Sequence, residues 1–222
     1  MTAEVNNEMK YIIMCGGDYK KWSKPRQLTE INGEPIIART IRLLRECGVE
    51  DIAISANNNH FNTFGVPVLR HINEWVVYDY EKDDGTWCNA FYPTDEPVCY
   101  LLGDVVFSKA AIRTIVNTQT NDIAFFASAP PFAKDYPKEY AEPFGFKVVN
   151  LQHFWNAIRD LKRYENEKLF KRHPIAWELW QVIKGTELNT IDYKNYTVIN
   201  DYTCDIDVPE DIKYYTKLNI GD

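Results

Sequence analysis

Apolar positions fall in short blocks separated by polar, glycine-bearing turns, and the blocks alternate between two periods. Residues 11–15 (YIIMC) form a continuous apolar run ending at Gly16-Gly17, the pattern of a strand buried on both faces of a parallel sheet. Ile37, Ile41 and Leu44 then recur at i, i+4 and i+7, with Pro35 in the first turn and Gly48 where a C-terminal cap belongs. That spacing predicts a helix. Residues 51–56 (DIAISA) read as the next strand, and strand, loop, helix, strand makes a βαβ unit.

The alternation continues to the end of the chain. Further strands are predicted over 66–69, 98–102, 122–128, 144–149 and 197–204, and helices over 85–91, 151–170, 174–184 and 208–218. Gly103-Asp104 is a turn, and Ser108 caps a helix whose apolar face is Ala111, Ile112, Ile115 and Val116. Four prolines between 129 and 143 mark a loop. Internal repeats, low-complexity tracts and linkers are absent, so the expected fold is one doubly wound, mostly parallel α/β sheet with helices on both faces. A single domain over 1–222 is expected, in three parts over about 9–128, about 129–200 and 201–222.

Composition narrows the function classes. A net charge of -7 argues against general nucleic-acid binding, while a few local cations still suffice for phosphate ligands. Five cysteines (Cys15, Cys47, Cys88, Cys99, Cys204) form no CxxC pair and several fall in apolar stretches, so they read as buried thiols of a reducing compartment. The first residues lack a signal-peptide pattern, and no apolar run approaches the ~20 residues of a membrane span. The expected location is the cytoplasm, without a membrane partner, and a homodimer is left open.

The chemistry begins in the loop after the first strand. Cys15-Gly16-Gly17-Asp18-Tyr19 has neither the G-x-G-x-x-G spacing of a dinucleotide site nor the G-x-x-x-x-G-K-[ST] of a P-loop. Glycines first, then Lys20 and Lys21, then Pro25-Arg26, suit a loop that wraps a triphosphate. Glycine lets backbone N–H groups approach phosphate oxygens, and the cations offset charge on the α-phosphate and leaving pyrophosphate. A solvated cationic loop is the plainer reading. Asp104, after Leu101-Leu102-Gly103, would sit at the C-terminal edge of a central strand, where such folds bind ligands. Strand alternation turns Asp205 and Asp207 to one face, although Asp207 with Glu210 also reads as a capping pair for the last helix.

The run from Met14 through Pro25-Arg26-Gln27-Leu28, followed by Asn32-Gly33-Glu34-Pro35, resembles the signature of the GT-A-like nucleotidyltransferases. The Leu101-Leu102-Gly103-Asp104 and Asp205-Ile-Asp207-Val-Pro-Glu-Asp motifs match that family in order. Tyr19 replaces its second loop glycine and Arg26 its catalytic lysine. The resemblance implies an enzyme that transfers a nucleotidyl group from an NTP to a phosphorylated metabolite. Lys21 and Arg26 are then the catalytic cations, with Cys15, Gly16, Gly17, Lys20, Asn57, Gly85 and Thr86 on the nucleotide. Asp104, Asp205 and Asp207 would hold Mg²⁺. For the acceptor the candidates are Lys147, Arg172, His173 and Glu178, although Trp177 and Trp180 nearby also read as a core stripe with Arg172 and His173 as surface groups.

These inner segments are most similar to the small cytidylyltransferases of bacterial capsule phosphoramidate assembly, which implies CTP as donor and phosphorylated glutamine as acceptor. Three alternatives stay open. A sugar-phosphate nucleotidylyltransferase would share the motifs. A GT-A glycosyltransferase would share the fold but want D-x-D where Asp104 is followed by Val105-Val106. A non-catalytic nucleotide-binding domain is motivated by Tyr19 and Arg26.

Overall fold

In the computed structural model, which describes residues 9–16, 22, 24–70, 87–128 and 141–217, the central strand is β1 (Lys10–Met14). A two-residue Asn32-Gly33 turn, both at positive φ, joins β2 (Glu30–Ile31) to β3 (Glu34–Pro35), and α1 (Ile36–Glu46) follows. Next come β4 (Ile52–Ser55), β5 (Val68–Leu69), β6 (Val98–Leu102), β7 (Val105–Val106), α2 (Lys109–Asn117), β8 (Ile123–Ala127) and β9 (Pro143–Val148). The chain continues with α3 (Leu151–Asn166), α4 (Ala176–Lys184), β10 (Thr197–Val198), β11 (Cys204–Asp205) and α5 (Ile212–Lys217).

Seven strands make one sheet in the order β10-β8-β9-β6-β1-β4-β5. All of its pairings are parallel except those of β9, which runs antiparallel to both β6 and β8. The two faces follow from the pleat of β1. Tyr11 and Ile13 pack with Ile37, Ile41 and Leu44 of α1 and Ile112 and Ile115 of α2, whereas Ile12 and Met14 pack with Phe154 and Leu161 of α3 and Trp177 and Trp180 of α4. The fold is thus the mostly parallel α/β sheet, helix-covered on both faces, that the periodicity predicts. Ser108 caps α2 as expected, its Oγ accepting from Ala111 N at 2.8 Å, and the buried face is the predicted one. No helix among the described residues is long and apolar enough to cross a membrane.

Three local expectations are corrected. The single strand expected over 197–204 is two short strands in different sheets, because Asp201 turns the chain away and accepts from Thr203 N at 2.8 Å and Ser108 Oγ at 2.5 Å. The helix expected to reach Phe170 ends at Asn166, where Lys168 takes a positive φ. The capping pair Asp207/Glu210 does not form: Asp211 accepts from the backbone N–H groups of Asp207 and Val208 at 2.8 and 3.0 Å.

Candidate functional site

At the C-terminal edge of β6 the chain turns through Gly103 across the end of β1. Gly103 N donates to Met14 O at 3.0 Å, and a Cβ here would lie 2.5 Å from that carbonyl and 2.6 Å from Cys15 Sγ, so only glycine fits. The turn delivers Asp104 to the sheet edge. β7 and β11 then pair antiparallel, with Asp205 opposite Val105, and Ile206 N donates to Asp104 O at 3.1 Å. This short ribbon carries the C-terminal Asp-x-Asp motif to Asp104 across about a hundred residues of sequence. Tyr215 of α5 braces it, donating from its hydroxyl to Cys204 O at 3.0 Å.

Arg26 lies on a single 3₁₀ turn after Pro25 and joins these carboxylates. Its Nη2 meets Asp104 Oδ2, and its Nη1 donates to Asp207 Oδ1 at 3.1 Å and Ile206 O at 3.1 Å. Arg26 and Asp104 are each 9% exposed, so the pair is largely removed from water, where charge interactions are strong and desolvation is costly. Glu142 enters from the first residues before β9. Its backbone is fixed on both sides, N donating to Ser128 Oγ at 2.7 Å and O accepting from Ser128 N at 2.8 Å. One ligand atom each from Glu142, Cys204 and Asp205 lie within 4.8 Å of one another, a donor set able to hold a cation.

Arg26, Asp104, Glu142, Asp205 and Asp207 line one cleft of about 240 Å³, together with Gly16, Gln27, Trp87 and Ile175. Its lining includes four carboxylates, Asp104, Glu142, Asp205 and Asp207, against the guanidinium of Arg26. Gln27 is 2% exposed, and its Oε1 accepts no hydrogen bond among the described residues. Beneath the floor, burial and then the charge of Asp104 push the Cys15 thiol well above its usual range, so it is a neutral packing group.

The cleft therefore gathers Gly16, Arg26, Asp104, Asp205 and Asp207 of the residues expected from sequence. Cys15 is buried below it, and Asn57 is exposed just beyond the end of β4, outside the lining. Gly17, Lys20, Lys21, Gly85 and Thr86 lie outside the described residues. The four acceptor candidates are not brought to the cleft. Lys147 pairs in register with Cys99, toward the opposite edge of the sheet, and its Nζ donates to Val116 O at 2.9 Å and Thr118 O at 2.8 Å, closing the C-terminus of α2. Burial holds its pKa below the usual lysine value. Glu178 is buried and caps α4, accepting from Ile175 N at 3.0 Å and from Arg172 Nε at 2.5 Å. His173 pairs through Nδ1 with Glu165 Oε1 at 2.7 Å. Trp177 and Trp180 are core, donating from Nε1 to Ala141 O and Lys194 O.

Glu142, Gln27, Trp87 and Ile175 also line the cleft and are not among the site residues expected from the sequence. Glu142 had a signal: it directly precedes the apolar run of β9, and on an antiparallel strand it is the N-terminal end that reaches the functional edge. Lys147, five residues on, is carried away by the same reversal.

Comparison with known proteins matches residues 11–174 to the MobA-like NTP transferase domain. A protein assigned as a glucose-1-phosphate thymidylyltransferase from Bacillus anthracis superposes with a TM-score of 0.59 at 13% identity, covering 96% of each chain. The inositol-1-phosphate CTP transferase from T. maritima gives 0.53 at 14% identity, covering 97% of this chain and 99% of that one. No curated protein matches in sequence. At these identities the structural likeness speaks for the fold, and the sequence family speaks for the activity class. The chain belongs to the MobA-like NTP transferase family and is a nucleotidyltransferase.

Proposed function

We propose that the protein transfers a nucleoside monophosphate, CMP by preference, from its triphosphate to a phosphate oxygen of a small acceptor, releasing pyrophosphate. The observation that carries this reading is the charge of the cleft, with four carboxylates and one guanidinium among its described lining residues. A polyanionic triphosphate enters such a site only in company with cations, and nucleotidyltransferases of this family generally use a divalent metal. The carboxylate oxygens of Asp104 and Asp205 suit a hard cation, for which we assign Mg²⁺. When bound, the metal would draw charge from the α-phosphate and the leaving pyrophosphate.

The protein's own groups position and neutralise. Arg26 presents a rigid fork of donors at the carboxylate edge, matched to phosphate oxygens that gain charge in the transition state. An acceptor phosphate oxygen attacks the α-phosphorus in line, one P–O bond forms to the acceptor, and the bond from the α-phosphorus to the bridging oxygen of pyrophosphate breaks. The attacking oxygen is already anionic near neutral pH, so no general base is required, and rate comes from position and charge stabilisation.

The preference for CTP and for an amine-bearing acceptor, glutamine phosphate being the named example, rests on the motif resemblance. One of the structural neighbours is itself named as a CTP transferase acting on inositol 1-phosphate. For the acceptor's ammonium we assign Glu142 in place of Glu178, since Glu142 is 6% exposed and lines the cleft beside Pro143 and Ile175. Pyrophosphate release, measured for the four NTPs against amine-bearing phosphates and sugar phosphates, tests the reading. Release with CTP and an amine-bearing phosphate is expected. Equal kcat/KM with glucose 1-phosphate removes the acceptor assignment, and silence in every pairing removes the activity.

A further inference from the structure

The two arms of the Arg26 fork face groups with different roles. Nη2 meets Asp104, the carboxylate assigned above to the metal, while Nη1 is held by Asp207 Oδ1 and Ile206 O, both at 3.1 Å. At 9% exposure Asp104 has little water to stabilise its charge, and the guanidinium supplies that stabilisation. A divalent ion approaching Asp104 alone would be pressed against the Arg26 guanidinium.

We infer that Arg26 is the resident counterion of Asp104 in the nucleotide-free protein and that it obliges metal and triphosphate to bind together. The inference rests on the reading that Asp104 is a metal ligand. When a metal–triphosphate complex enters, Nη2 passes from the carboxylate to a phosphate oxygen, and the metal takes the vacated carboxylate. Asp207 and the Ile206 carbonyl keep Nη1 during the exchange, which makes Asp207 a positioning residue and gives the third aspartate a purpose other than metal ligation. The exchange leaves each charge paired: the carboxylate trades a monovalent partner for a divalent one as the guanidinium trades a carboxylate for a phosphate. By linkage, whatever factor the triphosphate adds to metal affinity the metal adds to triphosphate affinity.

The test is Mn²⁺ titration of nucleotide-free protein, followed by the electron paramagnetic resonance of the free ion. Wild type is expected to bind weakly. Arg26→Gln removes the competing cation and should bind at least about tenfold tighter, within the ordinary range of coupling between sites. The gain should vanish in Arg26→Gln/Asp104→Asn. Arg26→Met is carried through the same titration as a second uncharged variant, with a thermal melt confirming that each protein folds. Equal Mn²⁺ affinity in wild type and both uncharged variants, with binding still lost in the Asp104→Asn background, overturns the counterion role and leaves the metal assignment standing. Binding that is indifferent to Asp104→Asn as well overturns both.

Discussion

Arg26 and Lys147 are both buried cations, 9% and 4% exposed, and they occupy opposite edges of the same sheet. Their partners differ in kind. Lys147 is held by two main-chain carbonyls at the end of α2, neutral dipoles that belong to the fold and cannot leave it. Arg26 is held by the carboxylates of Asp104 and Asp207, beside an open cleft whose described lining residues carry more negative than positive charge. A cation on carbonyls at a helix end fixes structure, because those carbonyls have no other intrahelical partner. A cation between carboxylates at a cleft is exchangeable, because an incoming metal and phosphate can take both halves of the pair. Burial alone does not separate these roles; the chemistry of the partner does.

The largest expected effect falls on the cleft side. Asp104→Asn keeps shape and hydrogen-bonding capacity but removes the charge that we assign to the metal. Turnover should fall by at least about 10²–10³, the scale of losing one transition-state stabilising group. The melting temperature should move by only about 3 °C, since Arg26 keeps Asp207 and Ile206 O. Steady-state kinetics beside a thermal melt checks both. A variant with ordinary turnover would erase the distinction between the two edges.

The mirror-image result is expected at the other edge. Lys147→Met should leave turnover unchanged and cost about 1–3 kcal/mol, the desolvation of carbonyls left without a donor. The sign of its pH dependence follows from burial. Because burial lowers the native pKa of Lys147, the unfolded chain holds this proton to higher pH than the native protein does. Wild type should therefore gain stability relative to Lys147→Met as pH rises from the lowered native pKa toward the unfolded value of about 10.4. Denaturant melts of both proteins from pH 7 to 10 measure it. A loss of turnover in the variant would place Lys147 in the site after all.

That contrast also marks what the chain makes legible. α2, with its Ser108 cap and four-residue face, and β1, with its unbroken apolar run, are local matters of period and capping, and they stand where the pattern puts them. Gly103-Asp104 is legible for the same reason, a glycine at a strand end where a side chain would strike Met14 O. The place of Lys147 is not legible, because periodicity gives a strand its faces and not its direction; the reversal of β9 is a fact of the sheet. The engagement of Asp207 with Arg26 is also non-local, spanning 181 positions, whereas the sequence offers Asp207 a metal-ligand role and a nearby capping pair with Glu210. The pairing actually made, Asp211 onto the Asp207 and Val208 N–H groups, lies one residue further along. Local rules were followed at the helix end, but by a different carboxylate.

The smallest expected effect sharpens the comparison within the cleft itself. Glu142 shares its neighbourhood with Asp205 and Cys204, within 4.8 Å, so it stands where either a metal or an acceptor ammonium would be met. The two roles separate in kinetics. An ammonium contact present equally in the ground and transition states lowers KM for the acceptor without raising kcat. Glu142→Gln should then raise acceptor KM about tenfold, on the order of 1.4 kcal/mol, with kcat, KM for CTP and the Mg²⁺ requirement nearly unchanged. A metal ligand would show the reverse, a lower kcat and a higher Mg²⁺ requirement with acceptor KM little altered. An acceptor analogue lacking the amine supplies the control: it should bind wild type and variant alike, because the group that Glu142 recognises is missing from it. Discrimination between the two acceptors that survives in Glu142→Gln would move the ammonium site elsewhere in the cleft.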